Sequence, residues 1–142
     1  MKKWIWRKVG LKLELLILEW LKEFGVKDLT WDTCGRIDFF DGLFELEAKR
    51  LRRTKFVSAK WLHENVIERF SSNCPMKILV VTKDCWDAMS EAMLRWHGVK
   101  TIVVGSVDRQ REIERAKERF MEQFLEVLYE VGERCVQKAP SV

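Results

Sequence analysis

Apolar residues recur at helical spacing early in the chain. Leu11, Leu15, Leu18 and Leu21 form one stripe, which Leu16, Trp20 and Phe24 widen. The pattern predicts a helix over residues 10–24, with Gly25 as its stop. Residues 29–32 suit a short strand. Two alternating runs then flank Asp41-Gly42, a strong hairpin signal: Arg36 to Phe40 on one side, Leu43 to Lys49 on the other. Residues 58–71 read as a helix, with Ser58 as its N-cap and Leu62, Val66 and Phe70 on the apolar face.

The rhythm then changes. Residues 76–82 (MKILVVT) and 101–105 (TIVVG) are continuous apolar runs, as expected of strands buried on both faces. A helix over residues 86–96 separates them and stops at His97-Gly98. One long helix follows, over residues 108–138, with Ile113, Ala116, Phe120, Phe124, Val127, Leu128 and Val131 inward. Strand–helix–strand alternation implies parallel pairing, and the hairpin is antiparallel. The expected fold is α/β, a mixed central sheet with helices on both faces. The 142 residues form a single domain, 1–142.

The longest uninterrupted apolar runs are too short to span a bilayer. The basic start, MKKWIWRK, lacks a following apolar stretch, so no signal peptide is read there and a cytoplasmic location is expected. Net charge is +4, and the excess lies in residues 1–71, with 15 basic and 11 acidic side chains. That points weakly to a polyanionic partner. Cys34, Cys74, Cys85 and Cys135 show no CxxC spacing and read as free or buried thiols. His63 and His97 have no partner at ligand spacing.

The hairpin carries the candidate chemistry. Alternation places Phe44, Leu46 and Ala48 on one face and Glu45, Glu47 and Lys49 on the other. If Asp41-Gly42 is the two-residue turn, Asp38 faces Glu45 and neighbours Glu47 diagonally; a turn centred one residue later sets Asp38 opposite Glu47. Either register puts both carboxylates on one face. Oxygen ligands at that spacing suit Mg2+ or Mn2+, and a lysine beside such an ion can position a water or neutralise developing charge. From residue 49 to 60 there are six basic side chains and no acidic one. Arg50, Arg52, Arg53, Lys55 and Lys60 would hold a DNA backbone beside the carboxylates.

Asp38 followed by Glu47-Ala48-Lys49 resembles the D…ExK motif of the PD-(D/E)xK, or restriction-endonuclease-like, nuclease superfamily. The likeness is nearest to archaeal Holliday junction resolvases and related small archaeal or viral nucleases. Gly10 to Glu14 is similar to their G-x-x-x-E helix, and the helix end, Leu21 to Gly25, is similar too. The resemblance covers about residues 10–82. It departs from the motif at Ile37, where a proline is usual, and at Arg50, where a serine is familiar. It implies a metal-dependent DNA endonuclease acting on branched or structured DNA. Asp38 and Glu47 would be metal ligands, Glu14 a further catalytic carboxylate and Lys49 the catalytic lysine. Cleavage of linear duplex or flap DNA is an alternative. So is a non-catalytic DNA-binding or assembly protein on the same fold. The length of the last helix, with Trp4 and Trp6 at the other terminus, predicts a homodimer.

Overall fold

The computed structural model describes residues 11–32, 35–51 and 57–138, and side chains within 12–32, 35–51 and 57–130. Helix α1 (Leu11–Phe24) leads into strands β1 (Thr30–Trp31), β2 (Ile37–Phe39) and β3 (Phe44–Lys49). Helix α2 (Ala59–Asn65), a 3₁₀ turn (Ile67–Arg69), β4 (Met76–Val81), α3 (Ala88–Trp96), β5 (Val99–Val103) and α4 (Gln110–Lys138) complete it. The five strands form one mixed sheet in chain order. β1, β2 and β3 pair antiparallel; β3, β4 and β5 pair parallel.

Each face of the sheet builds its own core. Phe44, Leu46 and Ala48 of β3 join Ile78, Val80 and Ile102 beneath α1 and α4. Leu79, Val81 and Val99 meet α2 and α3 on the other face. The consecutive crossovers run in one direction across the sheet, which places α2 and α3 on the same side. Aromatic rings join α1 to α4: Trp20 and Phe120 lie 5.4 Å apart between centroids, and Phe24 and Phe124 lie 4.9 Å apart. Truncating a fully buried Phe120 or Phe124 would cost about 3–5 kcal/mol.

Turn chemistry sets the register. Asp41 and Gly42 both have positive φ (56° and 83°), and Leu43 N–H donates to Phe40 O at 3.1 Å. Phe39 therefore pairs with Phe44 and Asp38 with Glu45, the first of the two expected registers. Gly25, at φ 105°, ends α1 as expected.

α3 and α4 each begin two residues later than expected, and α2 and β5 also depart from expectation. Ser58 caps α2, accepting Trp61 N–H at 3.1 Å, but the helix stops at Asn65 and gives way to the 3₁₀ turn. Val66 and Ile67 are β-branched and lose side-chain freedom in a helix. The Arg69 carbonyl, freed by the break, accepts from Arg36 at 3.1 Å. β5 begins at Val99, two residues before the expected start, because Gly98 at φ 72° turns straight into it.

Helix α4 runs unbroken through Gly132. Phe120, Phe124 and Val127 lie inside this chain's own core; among the described side chains of α4, the large apolar ones left exposed are Leu125 and Tyr129. Val131, Trp4 and Trp6 lie outside the described side chains. Among the described residues no helix is long and apolar enough to cross a membrane.

β5 is an edge strand, and Gln123 of α4 blunts it. Its Oε1 accepts Val103 N–H at 3.0 Å, and its Nε2 donates to Val103 O at 2.7 Å. Gln123→Ala should lower stability by about 1 kcal/mol, read as a lower denaturation midpoint with an unchanged slope. An unchanged midpoint would mean that water replaces the amide at no cost.

Candidate active site

The polar face of β3 is buried: Glu45 is 4% exposed and Glu47 1%. It lies on the α2–α3 side of the sheet, where a carboxylate needs partners. Glu45 is partnered through one oxygen. Its Oε1 accepts Ser71 N–H at 2.7 Å and lies 3.4 Å from Arg36 Nη1. Arg36 Nη1 also donates to Ser71 Oγ at 3.0 Å. Arg36 Nε lies 3.3 Å from both Asp32 Oδ2 and Asp38 Oδ1. The guanidinium thus joins three carboxylates, the turn before β2 and the segment after α2.

Asp38 shares a face with Glu47 but is held by Arg36. Burial raises its carboxyl above the ordinary range, Arg36 opposes this, and Glu45 and Asp32 add to it. One register step beyond Ile37↔Leu46, Arg36 falls opposite Glu47. The position across from Glu47 therefore carries a cation.

Glu47 is only half partnered. Its Oε1 lies 3.3 Å from Lys49 Nζ, and its Oε2 is buried without a hydrogen-bond partner among the described residues. Burial raises its carboxyl; Lys49 and Arg69 hold it down, and Asp32 pushes it up. Glu14 reaches this point from α1, on the opposite face of the sheet. Gly35 makes the approach possible: a Cβ there would lie 2.6 Å from Glu14 Oε1, and its φ of 85° also favours glycine. Burial first, then Glu47, raises Glu14 from the ordinary 4.5 to about 7, against Lys49, a hydrogen bond with Trp31 and Arg69. Lys49 Nζ stands 6.0 Å from the centre of the Trp61 ring. The convergent set is thus Glu14, Glu47 and Lys49, with Asp32 and Arg69 contributing charge.

Among the described residues no group of three or more His, Cys, Asp or Glu side chains is placed to hold a metal ion. A pair of carboxylates from α1 and β3 is what converges. Of the expected DNA track, Arg50 is turned inward, 8% exposed, and paired with Asp108. Lys60 is exposed. Arg52, Arg53 and Lys55 lie outside the described residues. Cys74 and Cys85 are free thiols; Cys34 and Cys135 lie outside the described side chains. His63 and His97 come together, ring centroids 5.9 Å apart, and His63 Nδ1 lies 3.3 Å from Glu68.

Sequence reasoning missed Asp32, Arg36 and Arg69. Arg36 opens the alternating run two residues before Asp38, a spacing that already puts it on the carboxylate face. Asp32 and Arg69 lie in a turn and a 3₁₀ segment, which leave no periodic trace.

The folded chain keeps a proton on Glu14 that the unfolded chain has lost between about pH 4.5 and 7. Stability contributed at this site is therefore withdrawn as pH rises through that window. Glu14→Gln should stabilise the protein at pH 8 by about 1–2 kcal/mol, discounted for partial exposure, and leave it nearly unchanged at pH 5. Chemical denaturation at the two pH values checks this; an equal shift at both would mean the carboxylate is not proton-coupled to its site.

Comparison with known protein families, with curated proteins and with solved structures returns no match.

Proposed function

We propose that the chain is a metal-dependent endonuclease acting on DNA, with branched or structured DNA as the preferred substrate. The observation that carries this reading is the Glu47 carboxylate: buried, with Lys49 on one oxygen, no partner on the other among the described residues, and Glu14 brought alongside from α1. A buried carboxylate and a half-buried one in mutual repulsion fit a divalent cation. Their all-oxygen donor set suits Mg2+ or Mn2+, and Mg2+ commonly takes one or two carboxylates and keeps its waters. Glu14 and Glu47 would hold the ion. When bound, it would supply a more acidic water and positive charge facing the phosphate.

The chain's own groups divide the remaining work. Lys49, fixed between Glu47 and Trp61, presents an ammonium to a phosphoryl oxygen as negative charge develops. Arg69 adds positive potential at Glu14 and Glu47. Asp38 is a positioning residue: it holds Arg36, and Arg36 holds Glu45 and the segment after α2. In the hydrolysis a water oxygen bonds to phosphorus, the bridging P–O bond breaks, and the leaving oxygen takes up a proton.

A second reading, a non-catalytic DNA-binding or assembly protein on this fold, is favoured by one observation. Arg36 stands across from Glu47 and neutralises Asp38. A panel of junction, flap, linear duplex and single-stranded DNA, with and without Mg2+ or Mn2+, separates the readings. The nuclease reading expects metal-dependent cuts on at least one substrate. Glu47→Gln and Lys49→Ala should each slow them by about 10²-fold or more, with affinity nearly unchanged. Binding without cleavage on every substrate would establish the second reading.

The reading includes a homodimer that sets two sites on one DNA. Its support is Leu125 and Tyr129, one turn apart on α4 and 57% and 70% exposed. Light scattering at micromolar concentration should give twice the chain mass of 17.0 kDa. A mass of one chain throughout would refute the dimer.

A further inference from the structure

We infer that the first half of α4 carries a phosphate-binding row, Arg111, Arg115 and Arg119, that holds a nucleic-acid backbone leading away from the candidate active site. The class of ligand rests on the DNA reading above; the row rests on its own geometry. A cavity of about 500 Å³ is lined by Ser106, Arg111, Glu112, Arg115 and Arg119. A second, of about 210 Å³, shares Ser106 and runs past Lys83 and Thr82 to Arg50, the residue after Lys49. The two make one path from the end of β3, across the ends of β4 and β5, onto α4.

The three arginines follow at intervals of four residues, so they share one helix face at steps of roughly 6 Å. That step is comparable to the separation of successive phosphates along a strand. The row spans two such steps, more than one phosphate group occupies. Like charges at this spacing destabilise a helix. No carboxylate lies within salt-bridge distance of Arg111 or Arg115 among the described residues, and both are exposed. Glu112 shares the cavity, but its Oε1 accepts Arg109 N–H at 3.1 Å and so serves the helix start.

Arg119 is built into its place. Its Nη1 donates to Val104 O at 3.2 Å. Gly105, at φ 85°, lacks the Cβ that would collide with that same nitrogen. The guanidinium is therefore fixed beside the β5 end, with its remaining N–H groups free to fork onto phosphate oxygens. Arg50, by contrast, is already paired with Asp108, so the available positive charge on this path comes from Lys83 and from the arginines of α4.

The test is Arg111→Ala/Arg115→Ala in the full chain, which spares Arg119 and its contact with β5. Fluorescence anisotropy with labelled duplex and single-stranded oligonucleotides is followed across a salt series in EDTA, and circular dichroism checks folding. On duplex, the slope of log affinity against log salt should flatten by about 0.9 for each lost contact, up to about 1.8; on single strands by about 0.7 each. Arg111→Lys/Arg115→Lys should keep most of the slope. An unchanged slope in the folded alanine variant overturns the row. Pyrophosphate held by these arginines and undisplaced by oligonucleotide overturns it too, in favour of a small-anion site. A wild-type protein that cuts nothing but binds with the arginine-dependent slope leaves the row standing and removes the nuclease reading. Cleavage with an arginine-independent slope does the reverse.

Discussion

Two glutamates on the buried face of one strand are the constraint around which this molecule is arranged. An uncompensated buried carboxylate costs several kcal/mol, so Glu45 and Glu47 require partners that the apolar residues around them cannot supply. Arg36 answers for Glu45 and does more besides. It reaches Asp32 and Asp38 with Nε and the segment after α2 with Nη1. The early end of α2 belongs to the same arrangement, because the break leaves the Arg69 carbonyl available to Arg36.

Glu47 is treated differently from Glu45, two residues away on the same face. Glu45 has a backbone N–H and a guanidinium on Oε1. Glu47 has one ammonium and an orphaned oxygen, with a second carboxylate brought to it through the gap above Gly35. A purely structural carboxylate gains nothing from a like-charged neighbour. The raised Glu14 carboxyl measures that conflict: without a cation, one of the two groups retains a proton near neutral pH. This difference in partners separates a structural glutamate from a candidate functional one.

Much of the fold was legible because its signals are local. Asp41-Gly42 announces a turn with two positive φ values, and MKILVV announces a strand with no wet face. Gly25 and Gly98 mark helix ends in their own backbone angles. The candidate site was legible in part: Glu47, Lys49 and Glu14 converge, but Asp38 belongs to Arg36. Alternation says which residues share a face and nothing of whether that face is wet, so the burial of Glu45 and Glu47 was hidden. The contact that uses the break, Arg36 with the Arg69 carbonyl, spans 33 residues, beyond any window of periodicity. The arginines of α4 were hidden for another reason. In a helix crowded with both signs of charge, a stripe of one sign shows only once the inner face is known.

Topology explains why these groups meet at one end of the sheet. Among the described strands, β3 alone pairs antiparallel on one side and parallel on the other. The strand before β2 ends, and β2 itself begins, at the end where β3 finishes, so the turn bearing Asp32, Gly35 and Arg36 lies beside Glu47 and Lys49. On the parallel side β4 and β5 end there as well, delivering Thr82 and Ser106. Open α/β sheets present their ligand crevices outside the carboxyl ends of parallel strands, where helix starts and loop backbones are not consumed by the ladder. Here the hairpin adds carboxylates to that end and α4 adds arginines. The opposite end holds the Phe40–Leu43 turn and, at the start of β5, a separate cavity lined by Arg95 and Lys100. The change from antiparallel to parallel pairing at β3 sets acidic groups on one side of Lys49 and basic groups on the other.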